Sequence, residues 1–213
     1  MLKEILLKAL LETIYMVSVS TVLSVAIGFI PAIILVITDE QGLNPNKTVY
    51  KVLDLIINIL RSFPFIILMI AIFPLTRLIV GKAIGTTAAI VPLTAAASPF
   101  AARVIETSFK TVDPGVVEAA QSFGASDFQI IFKVMLKEAL PSIVQGITLT
   151  VINIVGYSAM AGAIGGGGLG DVALKYGYYR FQNDIMIYTV IILIILVQVL
   201  QSIGNLIYNK MNK

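Results

Sequence analysis

The chain has no cysteine and no histidine among its 213 residues, and only 13% of them are charged. Without cysteine it forms no disulfide. Without either residue type it lacks thiolate and imidazole metal ligands, haem ligation and every histidine-based catalytic triad. Carboxylate metal sites remain open, but the 12 Asp and Glu residues are scattered and lie mostly outside the apolar runs. We therefore expect no metal site, and we do not expect the chain to be an enzyme.

The low charge content also separates this chain from ordinary globular domains, in which about a quarter of residues are charged. Hydrophobic residues make up 58% of the chain and the mean hydropathy is +0.95. The charges are segregated, leaving apolar runs of about 20 residues, the length that crosses a bilayer as a helix. This pattern predicts an all-α, polytopic membrane protein that contacts lipid. The net charge of +3 forms no basic patch, so no nucleic-acid partner is expected.

Five apolar runs predict five transmembrane helices, at residues 14–37, 55–76, 83–102, 143–164 and 185–208. Pro64 and Pro74 predict a bend in the second span. The third is dense in small residues and is expected to pack against other helices, whereas the fifth is expected to face lipid. An apolar stripe over residues 2–10 is expected to lie along the membrane surface.

A polar segment, residues 103–141, separates the third span from the fourth, and its local chemistry predicts two short helices meeting at a turn. Asp113 is a good N-cap, and Pro114 suits the first helical position because its missing N–H would be unpaired there anyway. Gly124 can adopt the left-handed conformation that ends the first helix. Ser126 and Gln129 form a capping-box pair that starts the second. We call these two helices, residues 113–136, the elbow.

The second helix of the elbow is predicted to be amphipathic. Five apolar residues recur at helical spacing along it: Phe128, Ile131, Phe132, Met135 and Leu136. The stripe permits two interpretations: a solvated loop that packs on its own bundle, or a surface on which a soluble partner docks. The residue pattern alone gives these two similar weight.

The elbow and the segment after the fourth span resemble a known family. The run Glu118-Ala119-Ala120, followed by Gly124 and by Val134-x-Leu136, is similar to the cytoplasmic loop of permease subunits of bacterial ATP-binding-cassette importers. Three further runs resemble the methionine-type branch: Gly156-Tyr157-Ser158-Ala159-Met160-Ala161-Gly162, Gly166-Gly167-Gly168-Leu169-Gly170 and Tyr176-Gly177-Tyr178. In one departure, Leu-Pro comes four residues late, at Leu140-Pro141, which predicts a longer exit from the elbow.

The resemblance implies a type I importer permease fold, with residues 1–213 as a single transmembrane domain and residues 103–141 as a cytoplasmic loop carrying coupling helices. It implies a homodimer in the bacterial cytoplasmic membrane, two cytoplasmic ATPase subunits and an extracytoplasmic substrate-binding protein. Methionine would be imported by alternating access, with ATP and Mg²⁺ bound by the partner ATPase. The residues implied to dock the ATPase are Glu118, Ala119, Ala120, Gly124, Phe128 and Phe132.

No nucleotide-binding motif is present in the sequence itself. Gly81-Lys82 is followed by alanine and lacks the upstream glycine of a phosphate-binding loop. The glycine run at residues 165–170 formally matches G-x-G-x-x-G, but no strand precedes it, so we expect a tight, closely packed turn instead of a dinucleotide site. The aromatic residues that follow, 176–181, fit an outer interfacial belt, a contact for a delivery protein, or both.

Polar residues within the apolar runs are candidates for the translocation path. Asn153, Tyr157, Ser158 and Met160 lie in the fourth span, and hydrogen bonds between helices would also satisfy the polar ones. As a hypothesis they line a path at the centre of a dimer, with Met160 as a flexible apolar gate.

Arg61 is the remaining candidate, either as part of the path or gate or as a side chain that reaches the cytoplasmic interface. Asp54 lies seven residues before it, so the two can share a helix face and pair.

Two alternative functions stay open. One is a stand-alone carrier or channel driven by a gradient, although the few intramembrane charges argue against proton coupling through carboxylates. The other is an importer permease for a different amino acid.

Overall fold

The computed structural model describes residues 2–211, and within them the chain is helical, with no β-strand. The α-helices are α1 (Leu2–Thr38), α2 (Lys47–Arg61), α3 (Phe65–Ala71), α4 (Phe73–Val80), α5 (Thr86–Phe109), α6 (Pro114–Ser122), α7 (Asp127–Gln129), α8 (Leu136–Gly162), α9 (Gly168–Val172) and α10 (Asn183–Met211). Two π-helical segments, Ile130–Met135 and Ala173–Tyr178, follow α7 and α9 directly. The all-α prediction is confirmed.

The core of the bundle is formed by α1, α5 and α8, which approach closely through small residues. At Gly28 an added Cβ would lie 2.7 Å from the Ser98 carbonyl oxygen, so the backbones of α1 and α5 are nearly in contact. α5 is the most enclosed of the long helices, and α10 buries only Thr189 and Gly204. The prediction that the third span packs against other helices is therefore confirmed, and α10 has the exposed surface that a lipid-facing fifth span requires.

Four continuous helical stretches are long and apolar enough to cross a membrane, and a fifth candidate is broken. The bend predicted in the span 55–76 is confirmed and is a complete break, because α2 and α3, which together are apolar enough for one span, meet at 97°. At the end of α2 the Ser62 hydroxyl donates a hydrogen bond to the Asn58 carbonyl oxygen at 2.8 Å. Pro64 disfavours helical conformation in the residue before it, so α2 stops and α3 begins after Pro64. Pro74 then opens α4 in its first turn.

The polar segment 103–141 is interhelical only in its middle. Its first seven residues are the last two turns of α5, and its last six open α8. Pro141 lies inside α8, and helix continues without a break from Asp127 to Gly162. The longer exit predicted from the position of Leu140-Pro141 is therefore absent.

The N-terminal stripe packs on protein, so its predicted place along the membrane surface is wrong. α1 has 37 residues, a length of about 55 Å, whereas the hydrocarbon core is about 30 Å thick. Its first turns therefore extend past the core, where Ile5, Leu6 and Ala9 pack with Leu169 and Val172 of the α9 region. We call this packed end of the bundle the outer cap.

The glycine run forms the tight turn that was predicted. Gly165, Gly167 and Gly168 have φ near +80°, a conformation that favours glycine. Glu12 Oε2 accepts a hydrogen bond from the N–H of Gly168 at 2.8 Å, and Thr13 Oγ1 accepts one from the N–H of Leu169 at 2.9 Å. The turn between α8 and α9 is thus attached to α1.

We expect Gly28→Ala to destabilise the bundle, because the new methyl group would meet the backbone of α5, which cannot rotate away. The cost should be about 1–3 kcal/mol, as for overpacked cores. It should appear as a lower midpoint of thermal unfolding in detergent. Val22→Leu also adds carbon to α1 but at a side chain that is 68% exposed, so its midpoint should not change. Equal midpoints for the two variants would contradict this account of α1–α5 packing.

Candidate functional site

The first helix of the elbow is capped as predicted. Asp113 Oδ1 accepts a hydrogen bond from the N–H of Gly115 at 2.8 Å, and Pro114 occupies the first helical position. No residue of α6 is buried. A helix with no buried residue has little packing of its own, so these caps are a large part of what holds it.

The turn that ends α6 is a complete Schellman motif centred on Gly124. The Gly124 N–H donates to the Gln121 carbonyl oxygen at 2.9 Å, and the Ala125 N–H donates to that of Ala120 at 3.1 Å. Gly124 has φ +77°, as predicted. Ala120 and Ala125 both pack on the cluster beneath the elbow, which supplies the apolar contact that accompanies this motif.

The second helix of the elbow begins with the predicted capping box. The Ser126 N–H donates to Gln129 Oε1 at 3.0 Å, and the Gln129 N–H donates to Ser126 Oγ at 3.4 Å. One turn later the helix widens into the π-helical segment Ile130–Met135. The predicted stripe is therefore only partly buried: Ile131 and Met135 are in the core, but so is Ile130, while Phe128 is 66% exposed.

A series of aromatic rings anchors this second half of the elbow. The ring centroids of Phe128 and Phe132 are 4.6 Å apart, and Phe29 of α1 lies 6.4 Å from Phe132 and also 6.4 Å from Phe109 of α5. Such contacts between rings stabilise beyond the apolar area they bury. The second half of the elbow is thus fastened to α1 and α5, while α6 projects from it.

The two faces of α6 differ in accessibility. Val117 and Ala120 turn towards the apolar cluster beneath the elbow, whereas Glu118 and Ala119 are exposed. Ala120 is thus half-buried, and only Ala119 of the two alanines is fully presented to solvent. The exposed apolar residues of the elbow form what we call the docking face: Val116, Ala119, Phe123 and Phe128.

Phe123 is the member of the docking face that the sequence reasoning missed. Its side chain is 91% exposed, the largest value among the exposed large hydrophobic residues within 2–211. It is the C-cap residue of α6, directly before the left-handed Gly124. Together with Val116, Ala119 and Phe128 it forms a contiguous apolar surface on the elbow, which is a candidate contact for a partner.

One side of α8 has no partner within residues 2–211. Leu149, Asn153, Gly156 and Met160 follow one another at spacings of four, three and four, which places them on one helix face. Leu149 is 54% and Met160 is 46% exposed, and an added Cβ at Gly156 would touch nothing within 4 Å. We call these four residues the open face of α8. Asn153 and Met160, both predicted path residues, lie on it together.

The other two predicted residues of the fourth span point elsewhere. Tyr157 is half-buried, with its ring stacked on Phe65 of α3 at 4.7 Å between centroids and 10° between planes. The Ser158 hydroxyl is buried and donates to the Val155 carbonyl oxygen at 2.7 Å within its own helix. The structure therefore brings Phe65, which sequence reasoning missed, against the predicted path residue Tyr157.

The predicted pairing of Asp54 with Arg61 is wrong. Arg61 is exposed and its guanidinium lies 5.9 Å above the ring of Phe100. Asp54 instead forms an ion pair with Arg103, which the predicted span boundaries had placed outside the helices. Because α5 continues to Phe109, it brings Arg103 alongside α2, and the planar guanidinium binds Asp54 and Asn58 of α2 while it also binds Glu106 of its own helix.

This ion pair belongs to a larger network centred on Glu106, whose side chain is 2% exposed. Glu106 accepts hydrogen bonds from Arg103 at 2.7 Å, from Lys110 at 2.9 Å and from the Tyr50 hydroxyl at 3.1 Å. Lys110 also reaches Asp39, just after α1, at 2.8 Å. Arg103 and Lys110 are helical neighbours of Glu106, whereas Tyr50 and Asp54 lie 56 and 49 residues from the α5 groups they bind, and no local motif indicates those two contacts.

The two members of the network outside the spans have shifted pKa values. Burial alone would lower the pKa of Lys110, but hydrogen bonds to Asp39, Glu106 and Tyr50 outweigh it and hold the pKa above its ordinary value. Burial likewise raises the pKa of Asp39, and the bonds from Lys110 and from backbone N–H groups outweigh this and lower it overall. Both groups are therefore charged at neutral pH. The contribution of Asp39 to stability is lost as the pH falls through its lowered pKa, and that of Lys110 is lost as the pH rises through its raised pKa.

The outer cap presents aromatic side chains next to the glycine turn. Tyr178, Tyr179 and Phe181 are 62%, 67% and 85% exposed, and the Arg180 guanidinium lies 4.8 Å over the ring of Tyr176. We call these three exposed residues the outer aromatic patch. It is at the opposite end of α1 from the elbow, because the first turns of α1 pack in the outer cap, whereas Phe29 and Val36 pack against the elbow.

A family model described as "Binding-protein-dependent transport system inner membrane component" matches residues 24–213 of the chain.

Individual relatives match over most of the chain. A protein of Vibrio cholerae described as "Probable D-methionine transport system permease protein MetI" is 50% identical, covering 98% of this chain and 93% of its own. The Bacillus subtilis "Methionine import system permease protein MetP" is 41% identical over 84% of this chain and 81% of its own. A chain of a solved structure described as "Inward facing conformations of the MetNI methionine ABC transporter" superimposes with a TM-score of 0.97 at 40% identity, covering 99% and 98% of the two chains.

We expect Gly124→Val to open the turn of the elbow, because a β-branched residue at φ +77° is strained by about 1–2 kcal/mol. Hydrogen exchange at the amides of Gly124 and Ala125 should accelerate by roughly tenfold. Gln121→Ala changes a neighbouring exposed side chain but no backbone bond, and should leave both amides as protected as before. Unchanged exchange in Gly124→Val would show that the turn does not depend on this residue.

Proposed function

This chain belongs to the family of binding-protein-dependent transport system inner membrane components, and we propose that it is the membrane-spanning permease subunit of an ATP-driven importer of methionine. The observation that carries the proposal is the elbow, which presents apolar side chains to solvent outside the spans of a membrane protein. Methionine is supported by the printed names of relatives 50% and 41% identical and by the superposition on a methionine transporter. The chain itself is not an enzyme.

The docking face supports binding of a cytoplasmic ATPase. Phe123 and Phe128 expose two large rings on either side of the Gly124 turn, and Ala119 leaves room for a partner to approach α6 closely. Exposed aromatic side chains of this kind are typical anchors of protein interfaces. No phosphate-binding loop is present in the sequence, so ATP and Mg²⁺ bind the partner.

The open face of α8 supports a homodimer. Asn153 has no hydrogen-bond partner within residues 2–211, and an amide facing hydrocarbon is costly. Facing a second copy of the chain, it borders either a hydrogen-bonding partner or a water-filled path between the copies. Gly156 allows close approach on the same face, and Met160 supplies a flexible apolar side chain that closes the path at one level.

The opposite end of the bundle supports contact with an extracytoplasmic substrate-binding protein. The outer aromatic patch is rigidly placed, because the glycine turn beside it is bonded to Glu12 and Thr13 of α1. With the elbow in the cytoplasm, this patch faces outwards, and the chain resides in the bacterial cytoplasmic membrane. The patch then receives the loaded binding protein and also fits the aromatic belt of the membrane surface.

The mechanism is alternating access driven from the elbow. The high superposition on a chain from an inward-facing transporter supports the same conformation here. When two ATPase subunits close around ATP, the elbows of the two permease copies docked on them approach each other. Each elbow carries α1 and α5 with it through the rings of Phe132, Phe29 and Phe109. The two bundles then rotate as rigid bodies and open the path outwards, and ATP hydrolysis resets them.

The proposal is tested by uptake of labelled L-methionine at low concentration in cells that lack this chain. Restoring wild type should restore uptake, whereas Phe123→Ala should leave the chain inserted but reduce uptake. Losing a buried aromatic anchor costs about 2 kcal/mol, so the ATPase should bind roughly 30-fold more weakly. Binding is measured by co-purification of the ATPase with the chain.

Leu206→Ala is the matched control, since it truncates another exposed apolar side chain, 69% accessible, on α10 away from the elbow. It should transport as wild type does. If Phe123→Ala also transports normally and retains the ATPase, docking through this face is wrong and a stand-alone, gradient-driven carrier is favoured. Loss of uptake for another small amino acid instead of methionine would assign the permease to that substrate.

A further inference from the structure

Apolar packing holds α2 only weakly to the rest of the bundle. Ile57 is its one buried residue among 15, in a small cluster with Leu35 of α1 and Ala102 of α5. The rest of its apolar surface is exposed, as expected for a helix that faces lipid on one side. Its position must therefore depend on other contacts.

Those contacts are polar and lie along one face of α2. Tyr50, Asp54 and Asn58 follow one another at intervals of four residues, so their side chains share that face. All three bond to groups of α5: Tyr50 to Glu106 at 3.1 Å, Asn58 to Arg103 at 3.2 Å, and Asp54 to Arg103 as an ion pair. Asn58 also donates to Asp54 at 3.0 Å, which keeps the carboxylate in place.

The groups on α5 lie at its end, directly before the elbow. Arg103, Glu106 and Lys110 are spaced by three and four residues and form a matching stripe over the last two turns. Lys110 stands three residues before Asp113, the N-cap of the elbow's first helix. A displacement of the elbow is therefore passed along the chain directly to this stripe.

The network resists separation of its two helices. Glu106 is almost fully buried, and a buried carboxylate is tolerated only while its cations and hydrogen-bond donors stay with it. Moving α2 away would remove the Tyr50 hydroxyl from Glu106 and the Asp54 carboxylate from Arg103 together. α2 and the end of α5 should consequently move as one body.

From α2 the chain leads directly to a predicted path residue. After the break at Ser62 and Pro64, Phe65 opens α3 and stacks on Tyr157 of α8. A change in the direction of α2 is thus passed, over three residues, to a ring in contact with Tyr157.

We propose that the network of Tyr50, Asp54, Arg103, Glu106 and Lys110 is a mechanical link that carries displacement of the elbow through α2 to the Phe65–Tyr157 stack. These five are positioning residues and do not contact the transported solute. The link rests on the proposed function, because it acts only if a partner moves the elbow. It adds a second route from elbow to path, beside the rings that lead to α1 and α5.

The test removes the α2 side of the link with the double variant Tyr50→Phe and Asp54→Asn, which keeps the size of both side chains. In proteoliposomes containing the ATPase, the binding protein and methionine, one measures methionine imported per ATP hydrolysed. This ratio should fall by roughly two- to thirtyfold, the range for residues that carry coupling. The single variant Asp54→Glu, which retains the negative charge, should keep most of the wild-type ratio of methionine imported to ATP hydrolysed.

Lys47→Gln is the matched control, because it breaks a pair with Glu40 at the same end of α2 whose side chains are 68% and 79% exposed. It should leave the ratio unchanged. A merely structural role for the network would reduce the amount of folded chain and both rates together, but not their ratio. An unchanged ratio in the double variant would therefore overturn the proposal.

A second readout separates failure of the link from failure of the proposed function. Since the chain has no cysteine, spin labels at Lys51→Cys on α2 and Lys133→Cys on the elbow are unique. In the complex with the ATPase their distance should not change with ATP, because the two sites move together. In the double variant, addition of ATP should shift or broaden the distribution of distances between the two labels. If ATP also leaves the distance unchanged in the double variant, the proposed link is wrong, whichever solute is transported. If the wild type takes up no methionine, only the proposed substrate is wrong.

Discussion

A hydrocarbon layer offers no water to backbone N–H and C=O groups, and this constraint determines most of the molecule. It enforces helices across the bilayer, and it confines irregular backbone to places where the protein supplies hydrogen bonds. The glycine turn shows how: its free N–H groups are satisfied by the carboxylate of Glu12 and the hydroxyl of Thr13, both on a neighbouring helix. Three hydroxyl groups inside the spans are satisfied within their own helices: those of Thr13, Ser98 and Thr150 each donate to the carbonyl oxygen one turn earlier.

The elbow lies outside that constraint and is built differently. Its helices are too short to be stable alone, so side-chain caps and a Schellman turn define their ends, and the Phe132–Phe29 contact fixes one half to the bundle. The other half keeps every residue accessible. An anchored half and a projecting half together make a short, stiff arm that transmits a force applied at its tip without bending at its base.

Features encoded by neighbouring residues could be predicted from the sequence, and features that depend on distant ones could not. The N-cap Asp113, the left-handed Gly124 and the Ser126–Gln129 box are all complete within four residues, and each is confirmed.

The break between α2 and α3 is predicted only as a bend, because proline indicates that a helix stops but gives no direction for the next one. The partner of Asp54 was missed because Arg103 is 49 residues away and meets it only when α5 extends beyond its apolar run. The π-helical turn after Gln129 has no comparable local signal, and it alters which side of the stripe is buried.

The bond between Glu12 and Gly168 also has a consequence for how the chain is made. These residues are 156 positions apart, so α1 enters the membrane long before its partner has been synthesised. Until then the Glu12 carboxylate has no glycine turn to bind and must remain hydrated, which keeps the first turns of α1 at the membrane surface. Arrival of the turn between α8 and α9 removes that requirement and lets the outer cap assemble. By then α1 to α8 have all been synthesised, so the outer cap cannot close around a chain that lacks α8.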